Sequence, residues 1–191
     1  MRIKECLSLL ATALGAASCR APEKTGLERS ARSVLVMARA YDSDGRAFLV
    51  SGDLVNALAS AWYGYGWLHC GITYGLLECT NTAGCPFISP CELLPPSFHD
   101  RLAEKTERYS RLLDTARHAV RPAPETDTAA GDFAGRVLLI VSSYTRAGDT
   151  CRRSGALEDA LARYSYGHGW LDAGVTAGLF VITDHHDLFT V

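Results

Sequence analysis

No stretch of this 191-residue chain reaches the roughly 20 consecutive apolar residues that a membrane-spanning helix needs. Basic excess is also missing. Nineteen Lys and Arg stand against 21 Asp and Glu, for a net charge of −2, and this sets aside nucleic acid and anionic membrane surfaces as expected partners. There is no phosphate-cradling glycine loop, no Ser/His/Asp order and no paired-carboxylate motif. The seven cysteines are an odd number without a Cys-x2-Cys pair, and Cys79, Cys85 and Cys91 are weak evidence for zinc. Cys6, Cys19, Cys70 and Cys151 fall in helical patterns, where a free thiol packs as a small apolar group. These absences predict no cofactor, no metal site and a reducing, cytoplasmic setting.

What the chain does have is a repeat. Residues 51–76 (SGDLVNALASAWYGYGWLHCGITYGL) align without a gap on residues 154–179 (SGALEDALARYSYGHGWLDAGVTAGL). Ser-Gly, Leu54/Leu157, Tyr63-Gly64/Tyr166-Gly167, Gly66-Trp67-Leu68/Gly169-Trp170-Leu171 and Gly71/Gly174 all coincide. The same offset carries the N-terminal run LLATA onto LLDTA at residues 112–116, inside a charged helical pattern. The first 19 residues, although they imitate a lipoprotein signal, therefore read better as an N-terminal helix of the fold.

Helical periodicity then gives six segments. Pro22 closes the first, and Thr25 caps a second that starts near Leu27. Gly52 and Asp53 form a tight turn into a third helix over 54–77. Residues 79–96 have no period and read as a linker. The pattern restarts with helices around 102–120, 137–153 and 157–182, followed by a short tail. The expected architecture is all-α: two tandem three-helix up-and-down bundles (1–78 and 98–191, joined by 79–97) packed as one pseudo-symmetric six-helix molecule. Glycine inside a helix costs ~0.5–1 kcal/mol relative to alanine. Gly64, Gly71, Gly75, Gly167, Gly174 and Gly178 are therefore expected to mark close helix packing across a pseudo-twofold between the units.

The two glycine-bearing segments resemble domain-of-unknown-function family 357, an archaeal family. The second unit fits best, from about Asp100 onward. The first fits from Ser30 to Leu77, with His69-Cys70 where the second has Asp172-Ala173. The resemblance implies a duplicated three-helix bundle in an archaeal cytoplasmic protein, and it supplies no catalytic residues.

Three readings of function follow. The leading one is a non-catalytic interaction or assembly module, whose partner is an unidentified protein or a second copy, because the units share packing residues and no catalytic set. The second is a ribonuclease of HEPN type or a nucleotide-acting enzyme, since Arg163 and His168 match an R-x4-H pattern in which histidine does acid–base work. The third is a small-molecule binder between the units, lined by Tyr63, Trp67, Tyr166 and Trp170. His168 and Asp172, one turn apart, are expected to hydrogen-bond and to raise the imidazole pKa. Asp184-His185-His186-Asp187 reads as a polar tail rather than a metal site.

Overall fold

A computed structural model describes residues 1–80 and 90–189 of the chain. Among these residues six α-helices and two small sheets form two like units. The first unit comprises α1 (Ile3–Gly15), β1 (Ala17–Cys19), α2 (Gly26–Val50), α3 (Leu54–Thr73) and β2 (Leu77–Cys79). The second repeats it with α4 (His99–His118), β3 (Val120–Pro122), α5 (Ala129–Arg153), α6 (Leu157–Thr176) and β4 (Phe180–Ile182).

The helix ends follow from local chemistry. Thr25 accepts the Glu28 amide at 3.1 Å, and Thr128 does the same for Gly131 at 3.0 Å, so each long middle helix starts on a threonine cap. Asp53 caps α3 through the Asn56 amide. The second unit has Ala156 in that place and lacks this side-chain cap.

The third helix of each unit is shorter than its periodicity suggests. Gly75 (φ +81°) and Gly178 (φ +77°) lie outside α3 and α6, in the left-handed conformation. Leu76 N–H returns to the Gly71 carbonyl and Gly75 N–H to Ile72, with matching bonds from Leu179 to Gly174 and from Gly178 to Val175. This is the Schellman closure, which glycine adopts without a Cβ penalty. Neither glycine packs a helix, as nothing lies within 4 Å of a Cβ placed on either.

The chain released by these turns forms β structure. β1 pairs antiparallel with β2 (Ala17↔Cys79), and β3 with β4 (Val120↔Ile182). Each pair ties the end of a unit's first helix to the end of its third. Val120, Leu77 and Ile182 thus belong to strands, not to the expected helices, and α5 starts at Ala129 rather than Val137.

α1, α2, α4 and α5 are amphipathic and bury one face each. α1, for example, sends Leu7, Leu10 and Leu14 inward. α3 and α6 differ in being buried nearly all round, Asn56 and His69 being the only half-buried residues between Val55 and Gly71. A helix surrounded on every side is a central helix. The two lie across one another at the middle of a single apolar core drawn from both units.

Candidate functional site at the crossing of the two units

The crossing point is set by one glycine from each central helix. A Cβ on Gly66 would overlap the Tyr166 carbonyl and lie 2.8 Å from the Gly169 Cα. A Cβ on Gly169 would overlap the Tyr63 carbonyl and lie 2.9 Å from the Gly66 Cα. The backbones therefore touch, and each helix does to the other what is done to it, the mark of a twofold contact. The expected row of packing glycines is thereby corrected. Gly64 faces Leu10 and Tyr41, Gly71 faces Val34 and Leu77, Gly167 faces Leu113 and Tyr144, and Gly174 faces Val137 and Phe180. All four serve packing inside their own unit.

Polar side chains flank the crossing in two related pairs. Tyr63 donates its hydroxyl proton to Asp172 Oδ2 at 2.8 Å, and the Tyr166 hydroxyl lies 2.9 Å from His69 Nδ1. The repeat places Tyr63 over Tyr166 and His69 over Asp172, so one geometry recurs with two different partners. Each tyrosine ring is backed by another from its own unit, Tyr41 on Tyr63 at 4.4 Å and Tyr144 on Tyr166 at 4.5 Å between centroids. Burial, and then the Asp172 carboxylate, push the Tyr63 pKa well up, which keeps the hydroxyl protonated as the donor.

His168 stands beside the first pair with 4% of its surface exposed. It stacks on Tyr63 at 5.8 Å and meets Tyr109 edge-on at 6.2 Å. Among the described residues neither ring nitrogen has a hydrogen-bond partner. The expected bond to Asp172 is absent, and the imidazole pKa moves the opposite way, down to about 4, because burial disfavours the charged ring. His69 is likewise held down to about 4 by burial.

Lys105 extends the cluster toward the surface. It is 8% exposed, donates to Asn56 Oδ1 and sits 4.8 Å over the Tyr109 ring. Burial lowers its pKa. Its neighbour Arg101 pairs with Asp53. Hydrogen bonds join Arg101, Asp53, Asn56 and Lys105, and ring contacts continue from Lys105 through Tyr109 and His168 to Tyr63, with residues of both units on the way.

Arg163 bonds within its own helix. Its guanidinium bonds the Asp159 carbonyl at 2.9 Å and carboxylate at 3.2 Å, one turn back on its own helix. The four aromatic residues expected to line a pocket are all buried, and among them Tyr166 and Trp170 meet at 6.3 Å between centroids. Trp67 and Trp170 are 0% and 3% exposed, and Trp170 touches Tyr166 and Phe133. Two cavities lie away from these rings. One of about 290 Å³ is bordered by Leu93, Leu94, Leu102 and Leu157, and a polar groove of similar size lies between α4 and α5 at Arg117 and Arg146. Among the described residues no group of three or more His, Cys, Asp and Glu side chains could hold a metal ion. Cys85, one of the three weak zinc candidates, lies outside them.

A family model described as a protein of unknown function, DUF357, matches the chain twice, over residues 7–77 and 108–180. The chain belongs to the DUF357 family. The two matches fall on the two structural units, so the molecule is a tandem DUF357 duplication. No curated protein and no solved structure matches the chain.

Sequence reasoning missed several residues of the DUF357 crossing. Gly66 and Gly169 coincide in the repeat but were hidden among more numerous glycines. Tyr41 and Tyr144 also fall at the repeat offset, a signal that could have found them. Lys105 and Tyr109 had no such signal, for their first-unit counterparts are Arg2 and Cys6.

Proposed function

We propose that this protein is a non-catalytic interaction or assembly module of an archaeal cytoplasm, in which the two DUF357 units are joined into one rigid body that presents its outer helices to a partner. The observation that carries the reading is how the chemically capable groups at the centre are used. Tyr63, Tyr166, His69 and Asp172 bond across the crossing, and Lys105 bonds from α4 to α3. Side chains committed to holding two units together are not poised for a substrate. The six described cysteines are all free thiols, which suits a reducing compartment. Among the described residues no helix is long and apolar enough to cross a membrane.

The ribonuclease reading requires Arg163 and His168 to meet a phosphodiester. It is disfavoured by the burial of His168 between two tyrosine rings and by the engagement of Arg163 with Asp159. Small-molecule binding between the units is disfavoured by the burial of Tyr63, Trp67, Tyr166 and Trp170, each 8% exposed or less. The test is gentle purification from the native host, followed by native mass and scattering measurements. A co-purifying protein or a defined oligomer is the expected outcome. Retained RNA or nucleotide that is lost in His168→Ala would overturn the proposal, and a bare monomer would also count against it.

A further inference from the structure

The geometry points to a binding site for a small zwitterion, of the polar α-amino-acid class, in the groove between α4 and α5. The site belongs to the second unit and lies apart from the crossing.

The groove has a volume of about 290 Å³, small for a ligand pocket. The described residues of its wall are all polar or charged: Asp114 and Arg117 from α4, and Ser142, Thr145, Arg146 and Asp149 from α5. The duplication supplies an internal reference for this wall. At the repeat offset the same six positions hold Ala11, Leu14, Arg39, Asp42, Ser43 and Arg46, so none is kept. In the first unit Leu14 is buried, and Arg46 bonds the Asp42 carboxylate and the Leu7 carbonyl at 3.0 and 2.9 Å. The second unit has Arg117 in place of Leu14 and Asp149 in place of Arg46, which sets charges of both signs along the groove.

Part of that charge is engaged within the unit. Arg117 holds Asp114 Oδ1 through Nε and Nη2 at 2.9 and 2.6 Å, and the Tyr164 hydroxyl donates to Asp149 Oδ1 at 2.7 Å. The remaining groups are complementary to a zwitterion. Among the described residues the Arg146 guanidinium and the Ser142 hydroxyl make no hydrogen bond or ion pair, and Asp114 Oδ2 and Asp149 Oδ2 accept none. A planar guanidinium fork beside a hydroxyl suits a carboxylate. Two carboxylate oxygens suit an ammonium, which has three protons to donate. With two arginines against two aspartates on the wall, a ligand of one sign would meet like charge, whereas a zwitterion finds a partner at each end.

Amide NMR of the full chain, titrated with L-serine, L-asparagine and L-glutamine to millimolar concentration, tests the site. At least one of them is expected to shift residues 114–117 and 142–149 saturably and to leave the first unit unmoved. Its N-acetyl and methyl-ester forms, each lacking one charge, are expected to bind at least ten-fold more weakly. Arg146→Ala removes a head group that bonds nothing in the fold. That variant is expected to melt like wild type and to lose at least ten-fold in affinity, whereas Ser43→Ala, at the matching position of the first unit, should bind as wild type does. Absence of saturable shifts with all three amino acids would overturn the proposal. So would binding of the N-acetyl form or of inorganic phosphate as tight as that of the amino acid, which would mark a plain anion site.

Discussion

Adding one methyl group at Gly66 probes the contact on which the molecule closes. In Gly66→Ala the new Cβ sits 2.8 Å from the Gly169 Cα and overlaps the Tyr166 carbonyl, where ordinary contact starts near 3.4 Å. Both neighbours are backbone, so no side chain can swing away and α3 and α6 must separate by roughly 0.6 Å or more. Overpacking of this kind costs about 1–3 kcal/mol. The alanine returns up to about 1 kcal/mol of helix propensity, leaving a net loss of about 1–2 kcal/mol. For a chain of this length that lowers the melting temperature by roughly 3–6 °C. Gly135→Ala supplies the control, because Gly135 is an exposed α5 residue with nothing within 4 Å of its Cβ. It should stabilise by about 0.5–1 kcal/mol. Urea titration with circular dichroism resolves both. A Gly66→Ala protein as stable as wild type would refute a backbone contact at this point.

Other perturbations follow from the same geometry. Tyr63→Phe removes the hydroxyl that Asp172 accepts and should cost about 1.5–3 kcal/mol, with Tyr166→Phe milder because its partner His69 is neutral. A double-mutant cycle on Tyr63 and Asp172 giving no coupling energy would contradict the bond. Gly75→Ala and Gly178→Ala place a Cβ at positive φ and should each cost about 1 kcal/mol in urea titrations, nearly equally. His168 and His69 are depressed to about 4 in the folded chain against about 6.5 when unfolded. Between those values the unfolded chain binds more protons, so stability is full above pH 6.5 and falls as pH drops toward 4. The loss is roughly 3 kcal/mol for His168. A urea midpoint independent of pH between 4.5 and 7, or one unchanged in slope by His168→Tyr, would count against this.

The repeat made most of the architecture legible from sequence. Its strict offset disclosed six helices, the Gly52 turn and the Thr25 cap, because these depend on local spacing and local hydrogen bonds. The strands escaped because three-residue runs such as Leu77–Cys79 carry no period of their own. The seam was instead extended through Gly75 and Gly178, where the chain leaves the helix. The choice of crossing glycine could not be made either. Gly64, Gly66 and Gly71 look alike in sequence, and only the azimuth of α3 against α2 and α6 decides which of them meets another backbone. Of the site, Tyr63, Tyr166, His168 and Asp172 are legible in the sequence, but the pairing of Tyr63 with Asp172 is not, nor are His69, Tyr41 and Tyr144 as partners of the two tyrosines. Hydrogen bonds from Tyr63 to Asp172 span 109 residues, and nothing in either segment alone says which acceptor a buried hydroxyl will find.

The most direct test of the account is an NMR titration of the His168 imidazole in the intact protein. A closed joint between units predicts a ring that stays neutral until about pH 4, unaffected by added RNA or nucleotide. A midpoint near 6.5, or a shift on adding either ligand, would show an open and functional histidine and contradict the account.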